Sequence, residues 1–258
     1  KEYGIPIVGT MAHSFVSSFD REIDAFRAYV ASFPNHAILL IDTYDIVEGA
    51  RNAARVAQEM ASRGQKLIGV RIDSGDLPAQ ACAVRKIFDD ANLPEVKIIG
   101  SGGLDEYDLA ELSAGQIPYD SYGIGTKMGI SADAPWSDMS YKLVEYDNRP
   151  VLKLSTGKVS CPGKKQIFRR LDESGKFARD LIAQREENQP GERLLKEYLR
   201  DGALVEPLPS PLDCRAVFAR DFAALPDAVR AIREPKEYSV EFSTALLELR
   251  GRTAQQFK

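Results

Sequence analysis

The stretch Lys66-Leu67-Ile68-Gly69-Val70-Arg71-Ile72-Asp73-Ser74-Gly75-Asp76 decides the fold, because an apolar run ends there in polar residues and glycine. The run predicts a strand over Lys66–Ile72. The following segment, Leu77–Asn92, carries Pro78 in its first turn and predicts a helix. Since parallel sheets are built from strand–helix units, the sequence predicts one such unit with polar groups at the end of its strand.

The same pattern recurs on both sides of this unit. It predicts helices at Ile46–Arg63 and Asp105–Ala114, and strands at Ile5–Val8, Ala37–Ile41, Val96–Ile99 and Ser121–Ile124. With the first unit, five strand ends can face one side, where α/β proteins carry their reactive groups. Five strands do not close an eight-stranded barrel, so we expect an irregular barrel or one whose other strands precede Lys1.

The sequence changes character after about Met139. It predicts β-like stretches and then short helical patterns between prolines, namely Tyr141–Tyr146, Pro150–Leu154, Gln166–Leu171, Glu192–Asp201, Asp213–Ala223 and Phe242–Leu249. We therefore predict two domains. The first is an α/β region over residues 1–139, and the second is a smaller α+β region over residues 140–258 that packs on it.

Composition excludes several classes of protein. The 34 Lys and Arg residues against 38 Asp and Glu give a net charge of −4, which argues against a partner held by a basic surface, such as nucleic acid. Apolar runs such as Ala37–Ile41 are far shorter than the roughly 20 residues of a membrane-spanning helix. Three cysteines without CxxC spacing, Cys82, Cys161 and Cys214, argue against a zinc site and fit a reducing compartment. We expect a cytoplasmic protein without a leader peptide.

The two histidines have different surroundings. His36 follows Pro34-Asn35 and is expected to be a loop residue. His13 follows Gly9-Thr10 at a predicted strand end. An imidazole there can act as a base, a phosphate partner or a nucleophile, and a half-buried structural histidine is the alternative.

Four aspartates follow two neighbouring predicted strands. Asp45 and Asp76 are expected to be helix N-caps. Asp42 and Asp73 directly follow apolar strands and are better placed to face a ribose or Mg²⁺. Arg71 lies inside an apolar strand and needs an anionic partner, which is either Asp42 or Asp73 or a group on a ligand. The sequence leaves that choice open.

Two glycine-containing turns follow predicted strands, Gly100-Ser101-Gly102-Gly103 and Gly123-Ile124-Gly125-Thr126. Glycine permits close approach of backbone N–H groups to a phosphate, so the pair of turns predicts a phosphate site and a phosphosugar ligand. Lys164-Lys165 with Arg169-Arg170 is a second candidate for an anion, with a solvated charged face as the alternative.

Taken together, four segments resemble nicotinate phosphoribosyltransferase. They are Gly9-Thr10-Met11-Ala12-His13-Ser14-Phe15-Val16, Asp42-Thr43-Tyr44-Asp45, Val70-Arg71-Ile72-Asp73-Ser74-Gly75-Asp76 and Gly123-Ile124-Gly125-Thr126. The resemblance continues through Tyr141-Lys142-Leu143, Lys153-Leu154-Ser155, Pro162-Gly163-Lys164-Lys165 and Glu206-Pro207-Leu208. It therefore covers essentially the whole chain.

The resemblance implies a type II phosphoribosyltransferase with an irregular α/β barrel. Such an enzyme makes nicotinate mononucleotide and pyrophosphate from nicotinate and phosphoribosyl pyrophosphate (PRPP), with coupled ATP hydrolysis. The resemblance places His13 at the phosphorylated histidine, Thr10 and Arg71 near nicotinate, and Asp73 and Asp42 near the ribose and metal. The catalytic residues that the resemblance implies are His13, Arg71 and Asp73. The PRPP residues it implies are Asp42, Ser101, Gly102, Gly103, Gly123, Gly125 and Thr126.

The resemblance also implies Mg²⁺ as cofactor, ATP as co-substrate and a homodimer. From the charge balance and the short apolar runs, we expect no nucleic acid or membrane partner. The N-terminal portion of the family, including an aromatic residue that stacks on the pyridine ring, is absent from the sequence. We therefore expect a C-terminal part of the enzyme that alone exposes strand edges and lacks a complete base pocket. The alternatives are a nicotinamide phosphoribosyltransferase and a non-catalytic phosphosugar-binding fragment.

Overall fold

The structure, a computed structural model, describes residues 3–137, 140–155 and 160–257. Its contacts divide the chain into two compact units, one of Ile7–Ser137 and one of Lys1–Pro6 with Asp138–Lys258. Met139, the end of the first predicted domain, lies outside the described residues. The proposed domain boundaries therefore stay a prediction.

The unit Ile7–Ser137 alternates helices with parallel strands. Its elements are α1 (His13–Ser17), α2 (Glu22–Ser32), β1 (Ile38–Leu40), α3 (Ile46–Ala61), β2 (Gly69–Ile72), α4 (Leu77–Asp90), β3 (Lys97–Gly100), α5 (Glu106–Ala114), β4 (Ser121–Tyr122) and α6 (Thr126–Gly129). The four strands pair in the order β1-β2-β3-β4, all parallel. The carboxyl ends of all four strands therefore lie along one edge of the sheet.

The core of this unit lies between the sheet and its helices. Strand residues such as Leu39, Val70 and Ile98 are fully buried, as parallel strands covered by helices require. A Cβ on Gly49 of α3 would lie 2.1 Å from the carbonyl oxygen of Ile41. Glycine therefore allows α3 to approach the backbone directly before Asp42.

Helix starts follow the local chemistry of the sequence. Asp45 accepts a hydrogen bond from the backbone N–H of Glu48 at 2.9 Å and caps α3. Asp76 caps α4 in the same way, at 3.1 Å from the N–H of Ala79. Both N-cap predictions are confirmed, because an aspartate satisfies backbone donors that the first helical turn leaves open.

The predicted strand Ile5–Val8 is wrong. Ile5 is 57% exposed, Ile7 77% and Val8 81%, and no strand of the described residues pairs with them. A strand needs a hydrogen-bonded neighbour, which the local sequence does not provide. Consequently His13 begins helix α1 and does not follow a strand.

The described strands of this unit form a sheet with two edges, β1 and β4. The predicted mixed α/β class is therefore confirmed at the level of its elements. A closed barrel is not present in residues 3–137, 140–155 and 160–257.

The second unit is built around antiparallel strands. Its elements are β5 (Glu145–Tyr146), β6 (Arg149–Pro150), β7 (Lys165–Leu171), β8 (Phe177–Gln184), β9 (Glu192–Arg193), β10 (Leu199–Arg200), β11 (Ala203–Leu204), α7 (Pro211–Ala224), β12 (Val240–Phe242) and α8 (Thr244–Gln255). The main sheet has the order β12-β8-β7-β9, and β12 runs parallel to β8. Phe168, Leu181 and Ala183 form a small buried cluster in it.

The helix predicted over Glu192–Asp201 is also wrong. The segment contributes β9 and β10 instead. The N–H of Leu194 donates to the carbonyl of Ile167 at 2.9 Å, so its backbone pairs with β7. Sheet pairing with a distant strand has overridden the apolar spacing that favours a helix.

In the part of the chain that the structure describes, no helix is both long and apolar enough to cross a membrane. The longest, α3, has 16 residues and includes charged side chains such as Glu48, Arg51 and Arg55.

Candidate functional site

Polar side chains gather where the parallel strands end. Asp73 directly follows β2, Ser101 directly follows β3, and Asp42 lies two residues after β1. His13, the first residue of α1, reaches the same edge through a contact with Asp42. In open parallel sheets this edge is where ligands bind.

His13 and Asp42 form the first contact of the site. Nε2 of His13 lies 3.1 Å from Oδ1 of Asp42, and the imidazole is 42% exposed whereas the carboxylate is 7% exposed. A carboxylate only accepts hydrogen bonds, so Nε2 is the donor. The neutral ring then carries its lone pair on Nδ1, which is the atom able to act as base or nucleophile.

Asp42 also connects two strand ends. Its Oδ2 accepts a hydrogen bond from the backbone N–H of Asp73 at 2.8 Å. Both oxygens of Asp42 are therefore engaged, one by α1 and one by the loop after β2. The arrangement fixes His13 relative to Asp73.

Asp73 is the most open carboxylate of this group, with a side chain 33% exposed. Its Oδ1 accepts a hydrogen bond from the Ser101 hydroxyl. Nη1 of Arg71 lies 3.7 Å from the same oxygen, beyond hydrogen-bonding distance. Asp73 is thus held from one side and open to solvent on another.

The guanidinium of Arg71 is incompletely paired. Its side chain is 24% exposed, and Nη2 lies 3.4 Å from the carbonyl oxygen of Met11. Nε is buried and has no hydrogen-bond partner among the described residues. A buried donor of this kind is costly unless a partner arrives, so Arg71 can pair with an anionic ligand.

Thr10 lies next to Arg71 through a shared acceptor. The Thr10 hydroxyl donates to the carbonyl of Met11 at 3.3 Å, and the same oxygen accepts from Nη2 of Arg71. The structure therefore brings together the two residues predicted near nicotinate. Their role as ligands stays a prediction.

The two glycine turns differ in how much of their backbone is available. Gly102 has φ +109°, and a Cβ there would lie 1.8 Å from the carbonyl oxygen of Asp73, so only glycine fits. Gly102 and Gly103 are exposed, whereas Ser101 is buried. The N–H of Gly123 already donates to Gly100 at 2.8 Å. Beyond it, Gly125 and Thr126 are exposed, and Thr126 begins α6.

Three of the four residues in the two basic pairs are engaged within the second unit, whereas Nε of Arg170 is buried without a hydrogen-bond partner among the described residues and its Nη2 lies 3.5 Å from Gln189. Nζ of Lys164 lies 3.0 Å from Glu145, and Lys165 donates to the carbonyls of Cys161 and Gly163 at 2.7 Å. Burial lowers the pKa of Lys165. Arg169 pairs with Asp180 at 2.8 Å. These contacts favour a structural role for Lys164, Lys165 and Arg169, and the contacts of Arg170 do not decide its role.

A buried carboxyl group was missed by the sequence reasoning. Glu22 begins α2 and is 8% exposed, and its Oε2 accepts from Nδ2 of Asn52 at 3.0 Å. Burial raises the pKa of Glu22, and the negative charges of Asp45 and Asp42 raise it further, although the Asn52 bond opposes them. The sequence signal was the acidic residue in the first turn of a helix that had not been predicted.

Lys127 was also missed, although it follows Thr126 directly. Its Nζ lies 2.6 Å from Oδ2 of Asp105, the N-cap of α5. The hydrogen bond from Lys127 is the main reason that the pKa of Asp105 falls to about 2. This ion pair links the turn after β4 to the start of α5.

The fold is that of an α/β protein with an open parallel sheet, and a histidine, two aspartates and an arginine lie at the edge where proteins of this class bind ligands. The chain belongs to the nicotinate phosphoribosyltransferase family. It is 41% identical over 235 residues to nicotinate phosphoribosyltransferase pncB2 of Mycobacterium tuberculosis, covering 91% of this chain and 50% of that protein. It is 31% identical over 274 residues to the Bacillus subtilis enzyme of that name, covering 94% of this chain and 56% of that protein.

Family and structural comparisons agree with this assignment. Residues 191–250 match the family model of the nicotinate phosphoribosyltransferase C-terminal domain. The crystal structure of human nicotinic acid phosphoribosyltransferase superposes with a TM-score of 0.84 at 28% identity, covering 97% of this chain and 62% of that chain. Nicotinate-nucleotide pyrophosphorylase from Pyrococcus furiosus gives a TM-score of 0.69 at 26% identity, covering 87% and 56%. The chain thus spans about half the length of the relatives it matches.

Proposed function

We propose that the protein transfers the phosphoribosyl group of PRPP to nicotinate, giving nicotinate mononucleotide and pyrophosphate, in the biosynthesis and salvage of NAD. Membership of the family supports the reaction class. The observation that carries the choice of base is the incompletely paired guanidinium of Arg71 beside the sheet edge.

Arg71 favours nicotinate over nicotinamide. A guanidinium and a carboxylate form two parallel charge-assisted hydrogen bonds, whereas a neutral amide offers one weaker acceptor. Thr10, which shares the Met11 carbonyl with Arg71, places a hydroxyl at the same position. The pair thus fits an aromatic acid whose carboxylate lies against Arg71.

The chemical step breaks the bond between the anomeric carbon and pyrophosphate and forms a bond to the pyridine nitrogen. Positive charge builds on the ribose as pyrophosphate leaves, so a fixed carboxylate close to the ring lowers the barrier. Asp73 is open to solvent and sits beside Arg71, which suits it to orient the ribose near the bound base. Backbone N–H groups of Gly102, Gly103, Gly125 and Thr126 supply phosphate donors in this proposal.

At this site, Mg²⁺ would be bound mainly by substrate phosphates and water, with few protein ligands. In the described part of the chain, no three His, Cys, Asp or Glu side chains are arranged around a metal position. Mg²⁺ characteristically binds one or two carboxylates together with substrate phosphates and water. Asp73 would hold it directly or through water, with Asp42 behind, and the ion would neutralise the departing pyrophosphate.

His13 is the proposed link to ATP. With Nε2 donating to Asp42, Nδ1 carries the lone pair that accepts the γ-phosphoryl group, and ADP leaves. The phosphorylated ring adds a dianion near Asp42 and Asp73, which changes the affinity of the site for PRPP and Mg²⁺. Water later cleaves the P–N bond and releases phosphate, which restores His13 and completes ATP hydrolysis. Phosphorylation thus alters binding and takes no part in the transfer step.

The proposal extends to the assembly. Strands and a stacking aromatic residue from the N-terminal portion of the protein complete an irregular barrel and the base pocket, in a cytoplasmic homodimer. The support is that the chain spans about half the length of its relatives and that its parallel sheet has edges at β1 and β4.

The test is phosphoribosyl transfer by the full-length gene product with PRPP and Mg²⁺, offering nicotinate and nicotinamide in parallel, each with and without ATP. We expect nicotinate mononucleotide, formed faster with ATP. If nicotinamide gives product and nicotinate does not, the protein is a nicotinamide phosphoribosyltransferase. PRPP binding with neither product would establish a non-catalytic phosphosugar-binding protein.

His13→Ala is the companion variant. We expect it to abolish stimulation by ATP while slow ATP-independent transfer continues, because Nδ1 is lost but Arg71 and Asp73 stay. His36→Ala is the matched control and should leave stimulation unchanged, since His36 is an exposed residue before β1. Full ATP stimulation in the His13 variant would overturn the phosphohistidine assignment.

A further inference from the structure

Ser101 lies under the site and has no donor left for a phosphate. It is 5% exposed, and its backbone N–H donates to the carbonyl of Ile72 at 2.8 Å. Its hydroxyl contacts both the carboxylate of Asp73 and the same Ile72 carbonyl, the latter at 3.2 Å. The hydroxyl has one hydrogen, and an ionised carboxylate is the stronger acceptor. Both donors of Ser101 are therefore used inside the chain.

Gly102, the residue after Ser101, lies against the backbone carbonyl of Asp73. Gly102 lies so close to the carbonyl oxygen of Asp73 that a Cβ would come within 1.8 Å. The loop after β3 thus contacts Asp73 twice, at its carboxylate and at its carbonyl. Strand β3 in turn pairs with β2 along four residues, which fixes the relative position of the two loops.

The Asp73 carboxylate depends on Ser101 for its orientation. Asp42 holds the backbone N–H of Asp73 but not its carboxylate. Arg71 is 3.7 Å from Oδ1, which is too long for a hydrogen bond. Among the described residues, the Ser101 hydroxyl is the hydrogen-bond donor to this carboxylate.

We propose that Ser101 is a positioning residue, which orients the Asp73 carboxylate toward the ribose of the phosphoribosyl donor and does not bind its phosphates. The inference rests on the proposed function for the identity of the ligand. It replaces the earlier expectation of Ser101 as a phosphate ligand with an indirect role through Asp73.

The test compares Ser101→Ala with Ser101→Thr in the full-length gene product, at saturating Mg²⁺. Loss of one hydrogen bond to a charged group corresponds to about a 10- to 150-fold effect, and we expect the lower end because the Asp73 side chain is 33% exposed. We expect kcat/KM for PRPP to fall about tenfold in the alanine variant, whereas KM for nicotinate, which Arg71 contacts, stays within about twofold. The threonine variant keeps the hydroxyl and should recover most of the loss.

Ser243→Ala is the matched control. Ser243 is also 5% exposed and also donates to a carboxylate, Oε1 of Glu187 at 2.6 Å, but it belongs to the second unit. Ser243 caps α8, so Ser243→Ala should lower thermal stability. It should leave both kcat/KM for PRPP and KM for nicotinate unchanged. A rise in KM for nicotinate in Ser101→Ala as large as the fall in kcat/KM for PRPP, as in a merely structural defect, would overturn the positioning role.

A crystal structure of Ser101→Ala gives a readout that does not need activity. We expect the Asp73 carboxylate to leave its position facing the loop after β3 while β2 and β3 stay paired. If the unmodified protein makes no nucleotide, the proposed function fails, and the orientation of Asp73 in the two structures still decides the role of Ser101. An unmoved carboxylate would refute it.

Discussion

Two pairs of an arginine and an aspartate, one in each unit, differ in geometry: Arg169 with Asp180 and Arg71 with Asp73. Arg169 donates through Nε and Nη2 to both oxygens of Asp180 at 2.9 and 2.8 Å. Tyr238 adds a third hydrogen bond at 3.0 Å, and Arg169 lies over the Phe177 ring at 4.2 Å. By contrast, Arg71 lies 3.7 Å from Asp73, and its buried Nε is unpartnered within the described residues.

The difference in geometry is the basis for proposing that the Arg169–Asp180 pair is structural and that Arg71 and Asp73 bind a ligand. In the antiparallel sheet, the charges of Asp180 and Arg169 are paired within the protein, which offsets the desolvation penalty of burying them. At the edge of the parallel sheet, Arg71 and Asp73 keep capacity for further partners. A ligand that supplies a carboxylate and ribose hydroxyls would satisfy both.

The strongest test of this comparison is Arg71→Ala in the full-length gene product. We expect kcat/KM for nicotinate to fall about a thousandfold, or ~4 kcal/mol, because a desolvated charge pair with the substrate is lost. The melting temperature should change by less than about 2 °C, because the contacts of Arg71 with the described residues are long, 3.7 Å to Asp73 and 3.4 Å to the Met11 carbonyl. Steady-state kinetics and calorimetry measure the two effects.

Arg71→Lys serves as the control for charge. Lysine keeps the positive charge but loses the planar fork, so its kcat/KM should lie between those of the other two proteins. A large loss of stability with unchanged nicotinate kinetics would show that Arg71 is structural like Arg169.

Asp180→Ala tests the other pair. Removal of one partner leaves the half-buried Arg169 without its carboxylate, and we expect the free energy of unfolding to fall by about 3 kcal/mol. The kinetics for nicotinate and PRPP should stay within about twofold at a temperature where the protein is folded. Urea denaturation monitored by circular dichroism gives the first quantity.

Tyr238→Phe sharpens the same test. It removes one hydrogen bond to Asp180 and leaves the Arg169 pair, so its effect on stability should be smaller, about 1 kcal/mol. Equal stability of the original protein and Asp180→Ala would contradict the structural assignment of the pair.

The exposed pair of Lys127 and Asp105 should give the smallest effect. Its contribution to stability is present above the ordinary aspartate pKa of 3.8 and is lost as the pH falls through the folded-state pKa of about 2. We therefore expect Lys127→Met to lower the melting temperature slightly at pH 7 and the difference to shrink between pH 4 and pH 2.

Lys86→Met provides a comparison for this variant, because Lys86 forms an exposed pair with Asp90 at 2.9 Å within one helix. High salt should reduce both effects, since exposed pairs are screened. A difference for Lys127→Met that grows on acidification would contradict the predicted sign.

Local signals predicted much of the first unit. Asp45 and Asp76 mark helix starts, Gly64 follows α3, and short apolar runs mark β1 to β4, because each of these signals acts within a few residues. The positions of Asp42, Asp73 and Arg71 at the sheet edge follow from parallel pairing. They were therefore accessible from the sequence.

Features that depend on distant partners were not accessible. Ile5–Val8 has a strand-like composition but no neighbour to pair with in the described residues, and β9 exists because β7 is next to it. The contact of Ser101 with Asp73 depends on the register of β3 against β2, which no single stretch of sequence encodes. The distinction between Arg71 and Arg169 likewise depends on distances.

The hydrogen bond from the Asp73 N–H to Asp42 makes this amide a built-in reporter of the site. Its hydrogen exchanges with solvent when this hydrogen bond opens, either because the Asp42 side chain rotates or because the loop after β2 separates from the end of β1. The exchange rate of this single amide therefore measures how often the contact opens, and a ligand that holds Asp42 and Asp73 in place would slow it.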